Sequence, residues 1–107
     1  MSALNPAAAA APAVSDLAKT DPEYARFFKH FDEEEVAKTV EPVLGNAHRH
    51  FVILAALLGC GGKEEFEVRL PQALDAGVTP TQVREIVYQA TAYLGIGRVR
   101  GFVDIMN

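Results

Sequence analysis

Glu85, Gln89 and Tyr93 recur every four residues, which on a helix sets an acid, an amide and a phenol in one row. A glutamate held beside a phenol and an amide can bind or deprotonate an organic acid. The same row also reads as a solvated face or as interface polarity. A second group is His48-Arg49-His50. Side chains two apart on a helix diverge by about 200°, whereas a zinc pair needs a spacing of four. The histidine pair therefore reads as polarity at a helix start, and no metal site is expected. His50 alone is the better candidate for proton transfer. Arg49 can pair with Glu85 or bind a substrate carboxylate, a structural ion pair being the plainer reading. Cys60 falls at a helix C-terminus, where the dipole disfavours a thiolate. The glycines beside it can expose it and Arg69 can approach it, although a buried, unreactive thiol is the plainer reading.

These residues are positioned by segments whose ends are written in the sequence. Thr79 offers a hydroxyl cap, Pro80 stands where a missing N–H is harmless, and Gln82 completes a capping box. Val83, Ile86, Val87, Ala90 and Leu94 give that helix one apolar face, and Gly95 can take the left-handed conformation that ends it. Asp21-Pro22-Glu23 is another start signal, followed by Tyr24, Phe27, Phe28 and Phe31. The run Asp32–Glu35 reads as a solvated turn or a new helix start, because consecutive carboxylates diverge while a metal needs them converging. A break is expected at Glu41-Pro42. Asn46 then caps a helix to about Cys60 that is apolar all round from Phe51 to Leu58, and so is expected to be central and buried. Lys63 to Ala76 reads as a helix kinked at Pro71, and Gly97 to Asn107 as a short last helix with Val99, Phe102, Val103 and Met106 inward. No segment alternates with period two, so an all-α fold without strands is expected.

At 107 residues the chain makes one domain, expected over residues 14–107 behind a disordered Ala/Pro-rich tail at 1–13. Half of its residues are hydrophobic, more than a domain that buries only about 60–65 % of its unfolded surface can hide alone. The surplus points to a homo-oligomer. A net charge of −4 argues against nucleic acid, which needs a clustered basic face. No apolar run reaches the roughly 18–20 residues of a membrane span, and the first residues make a poor export signal. The single cysteine precludes an internal disulfide and fits a reducing compartment, so the cytoplasm is expected. With no Walker loop, serine elbow or CxxC, no cofactor is expected.

The order of the motifs adds a resemblance. Asp21-Pro22-Glu23-Tyr24 opens the series, and Arg49 leads into Ile53-Leu54-Ala55-Ala56-Leu57. Glu64-Glu65-Phe66 follows, then Ala73-Leu74-Asp75-Ala76-Gly77-Val78-Thr79, then Glu85-Ile86-Val87-Tyr88-Gln89-Ala90 with Tyr93-Leu94-Gly95. Over roughly Asp21 to Phe102 the chain resembles the carboxymuconolactone decarboxylase family, which also contains alkylhydroperoxidase D. The resemblance implies a compact all-helical domain of about five to six helices that builds trimers or hexamers, with sites at or near subunit interfaces. It also implies one of two activities, decarboxylation of a gamma-lactone acid or thiol-based peroxide reduction.

Carried onto this chain, the peroxidase motif of a glutamate, a CxxC and a histidine falls on His50, on Gly62 and Glu65, and on Arg69. All four positions have changed, and a two-cysteine mechanism has no resolving thiol. The decarboxylase branch usually has histidine where Arg69 stands. Arginine stays protonated and is no general acid, but it can hold a substrate carboxylate bidentately. The leading expectation is therefore acid/base chemistry on a small organic acid or lactone. Glu85 or His50 would transfer the proton, Arg49 or Arg69 would hold the anion, and Gln89 and Tyr93 would orient it. The alternatives are peroxide reduction through Cys60 alone and a non-catalytic oligomeric binding module.

Overall fold

The computed structural model describes residues 17–107, and among them every regular element is helical. The expected tail at 1–13 and the start of the domain at Val14 lie outside the described residues. Helix α1 spans Leu17–Thr20 and α2 spans Pro22–Lys29. Asp21 accepts the Tyr24 N–H at 3.0 Å, with Pro22 in the first turn, so the start signal works as its residue types dictate.

The acidic run forms neither a turn nor a helix start. The helix continues from α2 through a π-helical segment, His30–Val36, into α3, Ala37–Leu44. There the Ala37 N–H bonds the Asp32 carbonyl five residues back, which widens the turn and re-aims the side chains along it. The expected break at Glu41-Pro42 does not occur either. Pro42 lies inside α3, and the chain turns three residues later at Gly45 (φ +82°, ψ 157°), a conformation open only to glycine at low strain.

A bend of 115° leads into α4, Asn46–Cys60. Gly45, not Asn46, takes the cap position, and no side chain caps that end. Helix α5, Lys63–Asp75, runs on past Pro71. Helix α6, Pro80–Leu94, has both halves of its capping box, Gln82 N–H to Thr79 Oγ1 at 3.1 Å and Thr79 N–H to Gln82 Oε1 at 2.9 Å. It ends at Gly95, whose φ of +84° is positive as expected, although its ψ of 152° makes it extended rather than left-handed helical. Helix α7 spans Ile96–Met106.

The core lies among α4, α5, α6 and α7. Leu54, Leu58, Phe66, Leu70, Val83, Val87, Val99, Phe102 and Met106 are buried there, and the Phe66 and Phe102 rings meet edge to face at 5.1 Å. Helix α4 is less enclosed than its composition predicts. Leu54 and Leu58 are buried, yet Val52 is 57 % exposed and Ala55 also faces outward. One side of this apolar helix has no cover among the described residues.

Candidate functional site

Charge is buried where α4, α5 and the π-helical segment meet. Arg49 and Arg69 are 7 % and 5 % exposed. An isolated buried charge is far too costly to persist, so each guanidinium requires a carboxylate. Asp32 serves both. Its Oδ1 accepts from Arg49 Nη2 at 2.7 Å, and its Oδ2 lies 3.0 Å from Arg69 Nη1. The Asp32 carbonyl accepts a second bond from Arg49 Nη2 at 3.2 Å. Glu65, one helical turn before Arg69, accepts from Arg69 Nε at 3.1 Å. The Phe28 ring lies 5.5 Å from the Arg69 guanidinium carbon, a cation–π contact.

His50 is buried beside this network. Burial first, then the charges of Arg49 and Arg69, push its imidazole below the ordinary histidine range, and Asp32 and Glu41 oppose that shift only in part. The ring is therefore neutral at pH 7 and able to accept a proton. Three buried nitrogens have no hydrogen-bond partner among the described residues: Arg49 Nε, His50 Nδ1 and Arg69 Nη1. Arg69 Nη1 is near enough to Asp32 for an ion pair but too poorly aimed for a hydrogen bond. A cavity of about 370 Å³ opens against the cluster, with Lys29, Asp32, Glu33, Glu65, Arg69 and Gln72 as its polar lining and Phe28 and Val68 among its apolar lining.

The Glu85–Gln89–Tyr93 row lies elsewhere. All three residues are exposed and line a groove of about 660 Å³ between α4 and α6, against Phe51, Val52 and Ala55. The groove and the cavity share no lining residue. The helical rotation of about 100° per residue accounts for the separation, since it turns positions 49 and 50 of α4 inward and 51, 52 and 55 toward α6. The expected joint site therefore divides: His50, Arg49 and Arg69 come together, while Glu85, Gln89 and Tyr93 stand apart from them. The suggested Arg49–Glu85 pair is replaced by Arg49–Asp32. Cys60 is exposed rather than buried, with its thiol 3.7 Å from the Leu57 carbonyl, and Arg69 is engaged by Asp32 and Glu65 instead of approaching it. His48 bonds the Leu44 carbonyl through Nδ1 at 3.1 Å, as polarity at a helix start should.

Sequence reasoning missed Asp32 and undervalued Glu65. A signal existed for both. Two arginines set among apolar residues demand acids, and Glu65 stands four before Arg69.

Fold and site together define a small helical domain that gathers two buried arginines, two carboxylates and a buried histidine. The model of the carboxymuconolactone decarboxylase family matches residues 22–107, and the chain belongs to that family. No curated protein and no solved structure matches it.

Proposed function

We propose that the chain acts on a small organic acid or lactone acid by acid/base chemistry in the cavity beside Arg69. One observation carries this reading. Arg69 is buried, lines the cavity, and has as its second partner a carboxylate that can be displaced, since the Glu65 side chain is 39 % exposed whereas that of Asp32 is 18 % exposed. An incoming carboxylate takes the place of Glu65 on the guanidinium, where a charge-assisted bond is strong. Asp32 meanwhile stays on Arg49 and keeps the second arginine compensated. Glu65, released beside the bound acid, is then the group within reach to move a proton. His50, buried beside the arginines and outside the cavity lining, stays neutral and adds no charge to the cluster.

The test is a panel of small mono- and dicarboxylic acids and lactone acids, scored for binding by calorimetry and for turnover. Arg69→Gln should weaken binding at least about tenfold, the loss of one charge-assisted bond. Glu65→Gln should keep or tighten binding and abolish turnover, and Glu85→Gln should change neither. Binding that survives Arg69→Gln would overturn the reading. Turnover lost in Glu85→Gln alone would move the chemistry to the groove. Binding without turnover anywhere on the panel would assign a binding module instead.

The exposure of Cys60 supports a second reading, peroxide reduction through one thiol with an external dithiol as reductant. Peroxide consumption that disappears in Cys60→Ser would establish it, and equal consumption by both proteins would exclude it.

A further inference from the structure

The cavity beside Arg69 is balanced in charge before a ligand enters: Arg49, Arg69 and Lys29 stand against Asp32, Glu33 and Glu65. A bound carboxylate upsets that balance at one place. Arg69 is 5 % exposed and its Nη1 has no hydrogen-bond partner among the described residues, so a donor is available at the cavity wall. Asp32 is shared by Arg49 and Arg69 and keeps a cation whatever binds. Lys29 and Glu33, both exposed and four residues apart on the continuous helix, offset each other. Glu65 differs from both. Among the described residues its one cation is Arg69, the group that the ligand takes. Its displacement sets two carboxylates side by side in a partly buried site, where like charges disfavour each other's ionised form.

We infer that the ligand of this cavity is an α-amino acid with an apolar side chain. Its carboxylate sits on Arg69, its ammonium on Glu65, and its side chain against Ala25, Phe28 and Val68. The inference rests on the carboxylate binding proposed above and deepens it. An α-ammonium stands next to its own carboxylate and so meets the carboxylate that has just been displaced. A zwitterion leaves the charge of the cluster unchanged, whereas a monocarboxylate adds one negative charge and a dicarboxylate two. Glu65 has two oxygens, so one holds the ammonium while the other remains free to move a proton. The cavity, at about 370 Å³, is within the range of small-molecule sites.

Calorimetric titration of the full chain at pH 7 with matched ligands tests this. The pairs are leucine with 4-methylpentanoate and phenylalanine with 3-phenylpropanoate, each differing only in the ammonium. The amino acid of each pair should bind at least about tenfold more tightly, and leucinamide, which lacks the carboxylate, at least about tenfold more weakly than leucine. Glu65→Gln should erase the preference and leave the deaminated acids bound at least as well as before. Arg69→Gln should weaken both members of a pair. Far-UV circular dichroism establishes that each variant is folded, and the comparison within the wild type needs no variant. Deaminated acids that bind as well as the amino acids, and still depend on Arg69, would overturn this inference and leave the carboxylate reading standing. Leucinamide binding as tightly as leucine, or a preference undiminished in folded Glu65→Gln, would also overturn it. Binding of neither member of either pair, or binding indifferent to Arg69→Gln, would overturn both.

Discussion

The two sides of α4 solve opposite problems. On one side Arg49 and His50 are buried, and the chain supplies the compensating charge itself through Asp32, with Glu65 compensating Arg69. On the other, Val52 and Ala55 face an apolar groove that no element among the described residues covers. The contrast follows from the size of the penalties. An unpaired buried charge costs so much that folding must provide its partner, whereas exposed apolar area costs only about 25 cal/mol per Å² and can wait for a second molecule. The paired side is thus the place to look for chemistry, and the uncovered side the place to look for association.

The sharpest way to break the comparison is to remove the shared carboxylate. Asp32→Ala leaves two buried guanidinium groups short of charge and should lower the stability of the fold by about 3 kcal/mol, the lower end for a broken buried pair because Asp32 keeps some solvent contact. Urea unfolding measures it; a loss below about 1 kcal/mol would mean that water already screens the arginines.

A smaller effect is expected from His50 as pH falls. Unfolded, its imidazole titrates near about 6.5, and the folded value lies lower because of burial and the two arginines. Above that range both states hold the neutral ring, so stability is independent of this group. Below it the unfolded chain binds the proton first, and stability declines with falling pH until the folded value is passed, at no more than about 1.4 kcal/mol per pH unit. In His50→Gln this component of the slope should vanish from unfolding curves taken across mildly acid pH, and an unaltered slope would assign it to other groups. The smallest effect belongs to the uncovered side. Val52→Ser should change the stability of the monomer by less than about 0.5 kcal/mol, because the side chain is already in solvent. A larger loss in the monomer would show that the groove is closed within one copy.

Much of the fold was legible beforehand. The caps at Asp21 and Thr79, the stop at Gly95 and the inward faces of α6 and α7 depend on contacts within a turn or two, which residue type and spacing control. Proline was read too strongly at one position: Pro42 lies inside a helix where a break is expected, whereas Pro71 lies inside the helix that the sequence predicts across it, tertiary context overriding local propensity at both. The candidate site was legible by residue type and not by partnership. The sequence singles out His50, Arg49 and Arg69, which the fold brings together, but its spacing joins Glu85 to them, which the fold sets apart, and reads Asp32 as one of four solvated acids. Only Asp32 of that run turns inward, and it does so through the π-helical segment.

The sequence alone determined the all-helical class, most helix ends and the family, since hydrogen bonding along a helix and apolar periodicity are short-range properties of neighbouring residues. The tertiary structure decided which carboxylate meets which arginine and which face of α4 is left bare. Both depend on the 115° turn at Gly45 and on the widened turn at Asp32, which bring distant segments together in a way that no local spacing encodes.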